Sequence, residues 1–269
     1  MLRNHIVAGA LTAFALTACE PSEAPIPLPP LDLSAYEIVD LSHAYSDETV
    51  YWPTEEFGFT KTTLSEGMRE DGFYAAFAIS TAEHGGTHMD APYHFDADGD
   101  TTEAVPLSRL VAPAVVIDVS EKTAADRLYR LLPGDIIAFE AAHGKIAPGA
   151  IVLLRTGWSR YWPDGEAYLG GTDANSLSFP SFGADAARLL VEQRRVAALG
   201  VDTGSTDYGP STDFPVHRIM GAGNAPGFEN LTNLDRLPPT GATVIALPMK
   251  IEGGSGGPLR AIALIPRTY

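Results

Sequence analysis

The sequence predicts a single mixed α/β domain, on three observations. Short apolar runs rich in β-branched residues read as buried strands, helical apolar spacing lies between some of them, and no long polar linker divides the body. The chain has 269 residues, 45% apolar and 19% charged, which allows a sizeable core and sets it apart from a disordered tail or a collagen-like fibre. No internal repeat suggests a solenoid.

Taken in chain order, residues 1–18 read as an export signal. Arg3 and His5 precede the apolar run Ile6 to Leu16, and Leu16-Thr17-Ala18 supplies a small-residue cleavage site. That run is too short for the ~20 residues a helix needs to cross ~30 Å of hydrocarbon, so a permanent transmembrane span is not expected. Cys19, the only cysteine, follows directly. Leu16-Thr17-Ala18-Cys19 resembles the lipobox of bacterial lipoproteins, which implies lipidation of Cys19 and a membrane anchor facing the periplasm or cell exterior. A lone cysteine also rules out an intrachain disulfide. Residues 19–34 carry five prolines and read as an extended tether ahead of the body, residues 35–269.

Charge narrows the partners. Eighteen Lys and Arg stand against 34 Asp and Glu, a net −16, so nucleic acid is excluded as a partner on electrostatic grounds and a basic patch cannot hold anionic lipid. Membrane attachment therefore falls to the lipid anchor.

Within the body, Ala114 to Val119, Ala150 to Leu154, Thr243 to Leu247 and Arg260 to Pro266 read as strands. A short helix is expected over Gly134 to His143. A longer one is expected over Asp185 to Leu199, from the spacing of Leu189, Val196 and Leu199, with Gly200 as its stop. Gly253 to Gly257 reads as a turn and not a phosphate cradle, because a strand rather than a helix follows it.

The chemistry concentrates in Ala82 to Phe95, AEHGGTHMDAPYHF. His84, His88, Asp90 and His94 are all even-numbered, so an extended segment would project them from one face, whereas Gly85, Gly86 and Pro92 disfavour a helix. Imidazoles with a carboxylate suit borderline divalent ions such as zinc, manganese or iron, and the lack of thiolate removes a Cys-type structural zinc site. The aromatic residues Trp52, Phe73, Tyr74, Phe77, Tyr93, Phe95 and Phe214 are candidates to wall a flat pocket. No nucleotide, flavin or haem signature is present.

The run His84-Gly85-Gly86-Thr87-His88-Met89-Asp90-Ala91-Pro92-Tyr93-His94 resembles the signature of the cyclase family of metal-dependent hydrolases, which includes bacterial kynurenine formamidases and isatin hydrolases. Val50 to Pro53, Gly200 to Asp207, Phe214 to Leu231 and Leu247 to Leu264 extend the resemblance along most of the body. It implies a swivelling β/β/α fold with helices packed on mixed sheets, and subunits assembled as a homodimer or larger oligomer. It implies metal ligation by His84, His88 and Asp90, with His217 and Glu229 completing a two-ion site in formamidase-like members and Asp90 bridging. It gives His94 the acid/base role and Trp52 a substrate contact. Isatin-hydrolysing members tend to hold one manganese and lack the Glu229 equivalent, so Glu229 draws the chain toward the formamidase arrangement. An alternative place for Glu229 is the start of a helix over Glu229 to Leu237.

The expected activity is hydrolysis of a small aryl amide or cyclic amide, arylformamidase-like, with one or two Zn or Mn ions. The alternatives are isatin hydrolase-like ring opening, and a lipid-anchored protein that binds ligand without turnover. His94 favours the enzyme, since capture alone needs no acid/base group beside the ligands.

Overall fold

The longer strands of the main sheet are largely apolar runs, and the pairing within that sheet makes a ring. The structure, a computed structural model, describes residues 32–267. The signal segment, Cys19 and the tether as far as residue 31 lie outside the described residues. The chain runs β1 (Tyr36–Asp40), β2 (Thr60–Arg69), β3 (Gly72–Ser80), β4 (His88–Asp90), α1 (Leu107–Leu110), β5 (Val111–Asp118), α2 (Ser120–Ala125), β6 (Arg130–Leu131) and α3 (Pro133–His143). It continues through β7 (Ile151–Arg155), α4 (Gly165–Leu169), β8 (Ser181–Phe182), α5 (Ala184–Arg188), β9 (Ala198–Val201), α6 (Pro215–Ala222), β10 (Gly227–Glu229), β11 (Thr240–Pro248) and β12 (Gly256–Pro266).

The main sheet has the order β1-β12-β11-β5-β7-β9-β10-β4, and β4 also pairs with β12. Seven strands, β12 through β4, therefore close on themselves, with β1 added along the far half of β12. The β5–β7–β9–β10 segment is parallel, as the helical crossovers require, and the rest is antiparallel. Strand alternation divides the side chains between two cores. Ala112, Ala114, Val116, Ile151, Leu153, Met89, Phe228, Val244, Ala246, Ala261 and Ala263 form one cluster, which fills the ring; the many alanines suit its narrow bore. Ile117, Val152, Leu154, Leu199 and Val201 face outward and pack under Ile136 and Phe139 of α3, Ala186 and Ala187 of α5, and Val216 and Met220 of α6. A third cluster, Val50, Trp158, Tyr168, Leu169, Leu177 and Phe179, lies under Trp52.

Two sequence expectations are corrected. The helix expected over Asp185 to Leu199 is α5 continued by a π-helical turn, Leu189–Arg194, and it stops at Arg195, which adopts left-handed backbone (φ 53°). Leu199 and Gly200 belong to β9, where pairing with β7 overrides the helical spacing. Gly200 is needed there for close packing, since a Cβ would stand 2.7 Å from the Leu153 side chain. The region from Glu229 to Leu237 is not a helix: Glu229 ends β10, and only Leu234–Arg236 makes a 3-10 turn. Strands over 114–118, 151–154, 243–247 and 260–266 and the helix over 134–143 agree with the sequence reading. Arg260, on β12, pairs with Asp40 of β1, a structural role.

Candidate metal centre

The short strand β4 organises the site. Met89 points into the ring, so His88 and Asp90 point to its outer side. In the antiparallel β4–β10 register His88 lies opposite Glu229, so residues 141 apart in sequence share one face. His84 and His94 approach from the flanking turns and not from one continuous strand, which corrects the single extended segment expected of the sequence. Gly86 (φ 58°) bends the chain before β4, and Pro92–His94 is a 3-10 turn after it. Gly256 faces Asp90 across the other seam and leaves room for His84, whose Cε1 a Cβ would approach to 2.5 Å. His217 comes from the first turn of α6.

The contacts are close. His84 Nδ1 is 2.7 Å from Asp90 Oδ1, and His88 Nε2 is 3.2 Å from the same oxygen and 3.6 Å from Glu229 Oε2. His217 Nε2 is 3.2 Å from Asp90 Oδ2 and 3.3 Å from Glu229 Oε1. Two triads share Asp90, namely His84, His88, Asp90 and Asp90, His217, Glu229, each with donor atoms within 4.8 Å of one another.

The far nitrogens decide whether these groups fit a cation. His88 Nδ1 is 3.0 Å from the Gly86 carbonyl, which can only accept, so that nitrogen carries the proton. His217 Nδ1 is likewise engaged by Asp207 Oδ2 at 2.7 Å. Ser255 Oγ donates to Glu83 at 2.6 Å and so accepts from His84 Nε2 at 2.9 Å. Each neutral imidazole is thereby left with its lone pair aimed at carboxylate oxygens, an arrangement that repels itself unless positive charge lies between them. Among the described residues no lysine or arginine lines the cavity to supply that charge. The donor set fits one or two divalent cations.

The protonation preferences show the same demand for positive charge, which protons on the imidazoles meet when no cation does. Burial disfavours the charged form of His88, yet Asp90 and Glu229 outweigh it and raise it to about 9. Burial also opposes charge on His217, and Asp207, Asp90 and Glu229 again raise it. Asp90 is held well below the usual carboxylate range despite its burial, by His88 and the other imidazoles. Glu229 is raised by burial and by the charge of Asp90. His94 moves the other way. Burial, only partly offset by Asp90 and reinforced by the surrounding imidazoles, lowers it to about 3. Its ring stacks on His84 at 3.8 Å and lies 5.9 Å from that of His217.

A cavity of about 240 Å³ opens onto these groups, walled by Val50, Trp52, Phe95, Leu169 and Phe214. Trp52 has one side on the third core cluster and its ring 6.0 Å from Phe214. Of the other aromatic candidates, Phe95 and Phe214 line the cavity, whereas Phe73, Tyr74 and Phe77 lie on the β2–β3 hairpin and Tyr93 does not reach it.

Residues 39–208 match the family model described as putative cyclase. The chain belongs to the cyclase family. It is 37% identical over 212 residues to an isatin hydrolase of Roseibium aggregatum, covering 76% of this chain and 80% of that one. It is 30% identical over 226 residues to a kynurenine formamidase of Salinibacter ruber, covering 84% and 96%. The solved structure of isatin hydrolase A from Ralstonia solanacearum superposes with a TM-score of 0.82 at 33% identity, covering 91% of this chain and 100% of that one. His217 and Glu229 lie beyond the segment this cyclase-family model matches, so their place beside Asp90 is a finding of the geometry.

Sequence reasoning missed the groups behind the ligands. Asp207 holds His217 Nδ1 and also accepts from the Val216 and His217 amides, capping α6. Glu83 and Ser255 hold His84. Both carboxylates are close in sequence to motif residues, but only the fold shows that Asp207 meets His217 directly and that Glu83 reaches His84 through Ser255.

Proposed function

We propose that this protein is a metal-dependent amidohydrolase that cleaves a carbon–nitrogen bond of a small aryl amide with water. The observation that carries the reading is the pair of donor triads sharing Asp90, with a neutral histidine, His94, beside them at the floor of an aromatic-walled cavity. When bound, a zinc or manganese ion lowers the pKa of water to about 7 and polarises a carbonyl. His84, His88, Asp90, His217 and Glu229 would hold one or two such ions. His94 accepts a proton at a ring nitrogen as water attacks and returns it to the departing nitrogen. Trp52 and Phe214 bind the flat ring of the substrate and exclude bulk water.

Two substrate classes are in play, and separate observations support each. Glu229 beside Asp90 supports the arylformamide reading, N-formylkynurenine being the type. The 37% identity to an isatin hydrolase supports opening of a cyclic amide. In both, the bond broken joins a carbonyl to an aryl nitrogen. Metal analysis of the purified chain, paired with turnover of N-formylkynurenine, isatin and simple lactones before and after chelation, tests the reading. We expect bound zinc or manganese and loss of turnover on chelation that the metal restores. Chelator-treated protein that works as well as untreated protein overturns it.

We also propose export as a lipoprotein anchored through Cys19, supported by the lipobox resemblance and the proline-rich tether. Cys19→Ser is expected to move the protein from the membrane fraction to the soluble fraction; continued membrane partition contradicts the anchor.

A further inference from the structure

The cavity is acidic at both ends. At its floor Asp90 and Glu229 are buried, and their charge is met by the imidazoles of His84, His88 and His217 or by a cation among them. At its mouth Glu55 lines the cavity while exposed to solvent, and nothing offsets it. Among the described residues no lysine or arginine lines the cavity, and those within ion-pair range of a carboxylate meet other carboxylates. Glu55 is also fixed in place. Its amide donates to the Trp52 carbonyl at 2.9 Å, closing a turn over Pro53 and Thr54, and its Oε1 accepts from the Phe57 amide at 2.9 Å. The turn therefore sets the carboxylate on the same rim as the Trp52 ring. Its charge is felt at Tyr51, another wall of the cavity, whose hydroxyl is raised by burial, partly relieved by Thr81, and raised further by Glu55.

Granted the amidohydrolase reading, on which this rests, we propose that the cavity selects its aryl amide by charge. It takes rings that are neutral or cationic at the end away from the scissile bond, and Glu55 is the residue that turns away a carboxylate there. The metal-capable groups and His94 put the reacting carbonyl at the floor, so a flat ring lying along Trp52 and Phe214 directs its far carbon to the mouth. A carboxylate on that carbon gives up water, finds no cation to replace it, and faces Glu55. The net charge of −16 opposes the approach of anions as well. Isatin carries no charged group. N-formylkynurenine ends in an amino-acid group whose ammonium can meet Glu55 but whose carboxylate is left unmatched, so within the arylformamides the geometry points to those without that carboxylate.

Three formanilides test this, alike at the bond that water cleaves to an aniline and formate, and bearing methyl, carboxylate or aminomethyl on the opposite ring carbon. With the metal-loaded protein, kcat/KM for the carboxylate is expected about tenfold below that for the other two, a gap that closes towards ~0.5 M salt. Glu55→Gln, which keeps an oxygen for the Phe57 amide, is expected to reduce the methyl-to-carboxylate ratio to about threefold, and Glu55→Lys to remove or reverse it. Comparing variant with parent on the same substrates cancels the intrinsic reactivity of each ring. Calorimetric binding of the matching acetanilides is expected to give the same order without turnover. Equal kcat/KM for methyl and carboxylate in the parent, a ratio indifferent to salt, or one that survives both substitutions overturns the inference. If none of the three is hydrolysed while the binding order holds, the amidohydrolase reading falls and the charge selection stands; hydrolysis of all three at one rate does the reverse.

Discussion

His94 and Asp207 lie within one cluster and act at different points of it. His94 stacks on His84 and is held in its neutral form by burial, so it presents a proton-accepting nitrogen beside the ligands. Asp207 faces away from the cavity and fixes which nitrogen of His217 looks inward. Their variants are therefore expected to fail differently. His94→Ala is expected to retain bound metal and lose hydrolysis by ~10²- to 10⁴-fold. Asp207→Asn is expected to lower metal affinity by ~10- to 100-fold, with activity recovering as metal is added. Calorimetric metal titration beside kcat checks both. At this scale the sequence was informative where the ligands are crowded: four metal-capable groups within eleven residues, His84, His88, Asp90 and His94, marked the cluster, although their even spacing did not foretell the turns that carry His84 and His94. His217 and Glu229 came only from the family resemblance, because nothing local to them reveals that strand register sets Glu229 against His88. Asp207 remained out of reach since its partner is defined by the way α6 docks.

At the level of elements, the two glycines before β4 turn the chain so that His84 faces back over the strand. Gly86 has left-handed backbone, and a Cβ there would lie 2.6 Å from the Tyr45 ring, whose hydroxyl bonds the carbonyls of Gly85 and Thr87. Gly86→Ala is expected to cost about 1–3 kcal/mol, read as a melting temperature lower by ~2–4 °C per kcal/mol, together with reduced metal content. Strands buried on both sides, such as Ile151–Arg155, were legible because their apolar runs are short and unbroken. The end of the helix after α5 was not. Its apolar spacing continues through Val196 and Leu199, yet Arg195 leaves the helix so that Ala198–Val201 can pair with β7. Tertiary pairing decided against local pattern there, and a glycine that looks like a stop proved to be a packing requirement in mid-strand.

For the molecule as a whole, acid stability depends on groups outside the site. His43 stacks on Trp162 at 4.2 Å with its Nε2 buried and unbonded, and burial, partly offset by Asp40, lowers it to about 4 from an ordinary 6.5. Above pH 6.5 neither the folded nor the unfolded chain protonates it. As pH falls from 6.5 toward 4 the unfolded chain takes up a proton the folded one refuses, so stability is lost across that window, by up to about 3 kcal/mol. His43→Phe, which keeps the stacking and removes the titration, is expected to flatten melting temperature against pH between 6.5 and 4. An unchanged slope contradicts the assignment. The mixed α/β character of the body was visible in its alternation of short apolar runs and helical spacing, whereas closure of the sheet was not, since β4 is three residues long and pairs on both sides.

That closure has a consequence of its own. β4 is the stave that completes the hoop, clasped by Gly227–Glu229 along one seam and Gly256–Pro258 along the other. It is also the stave from which His88 and Asp90 project. A cation tying those two side chains to His217 and Glu229 would therefore rivet the hoop at a join only three residues long, and the chain would have to release it before unfastening there.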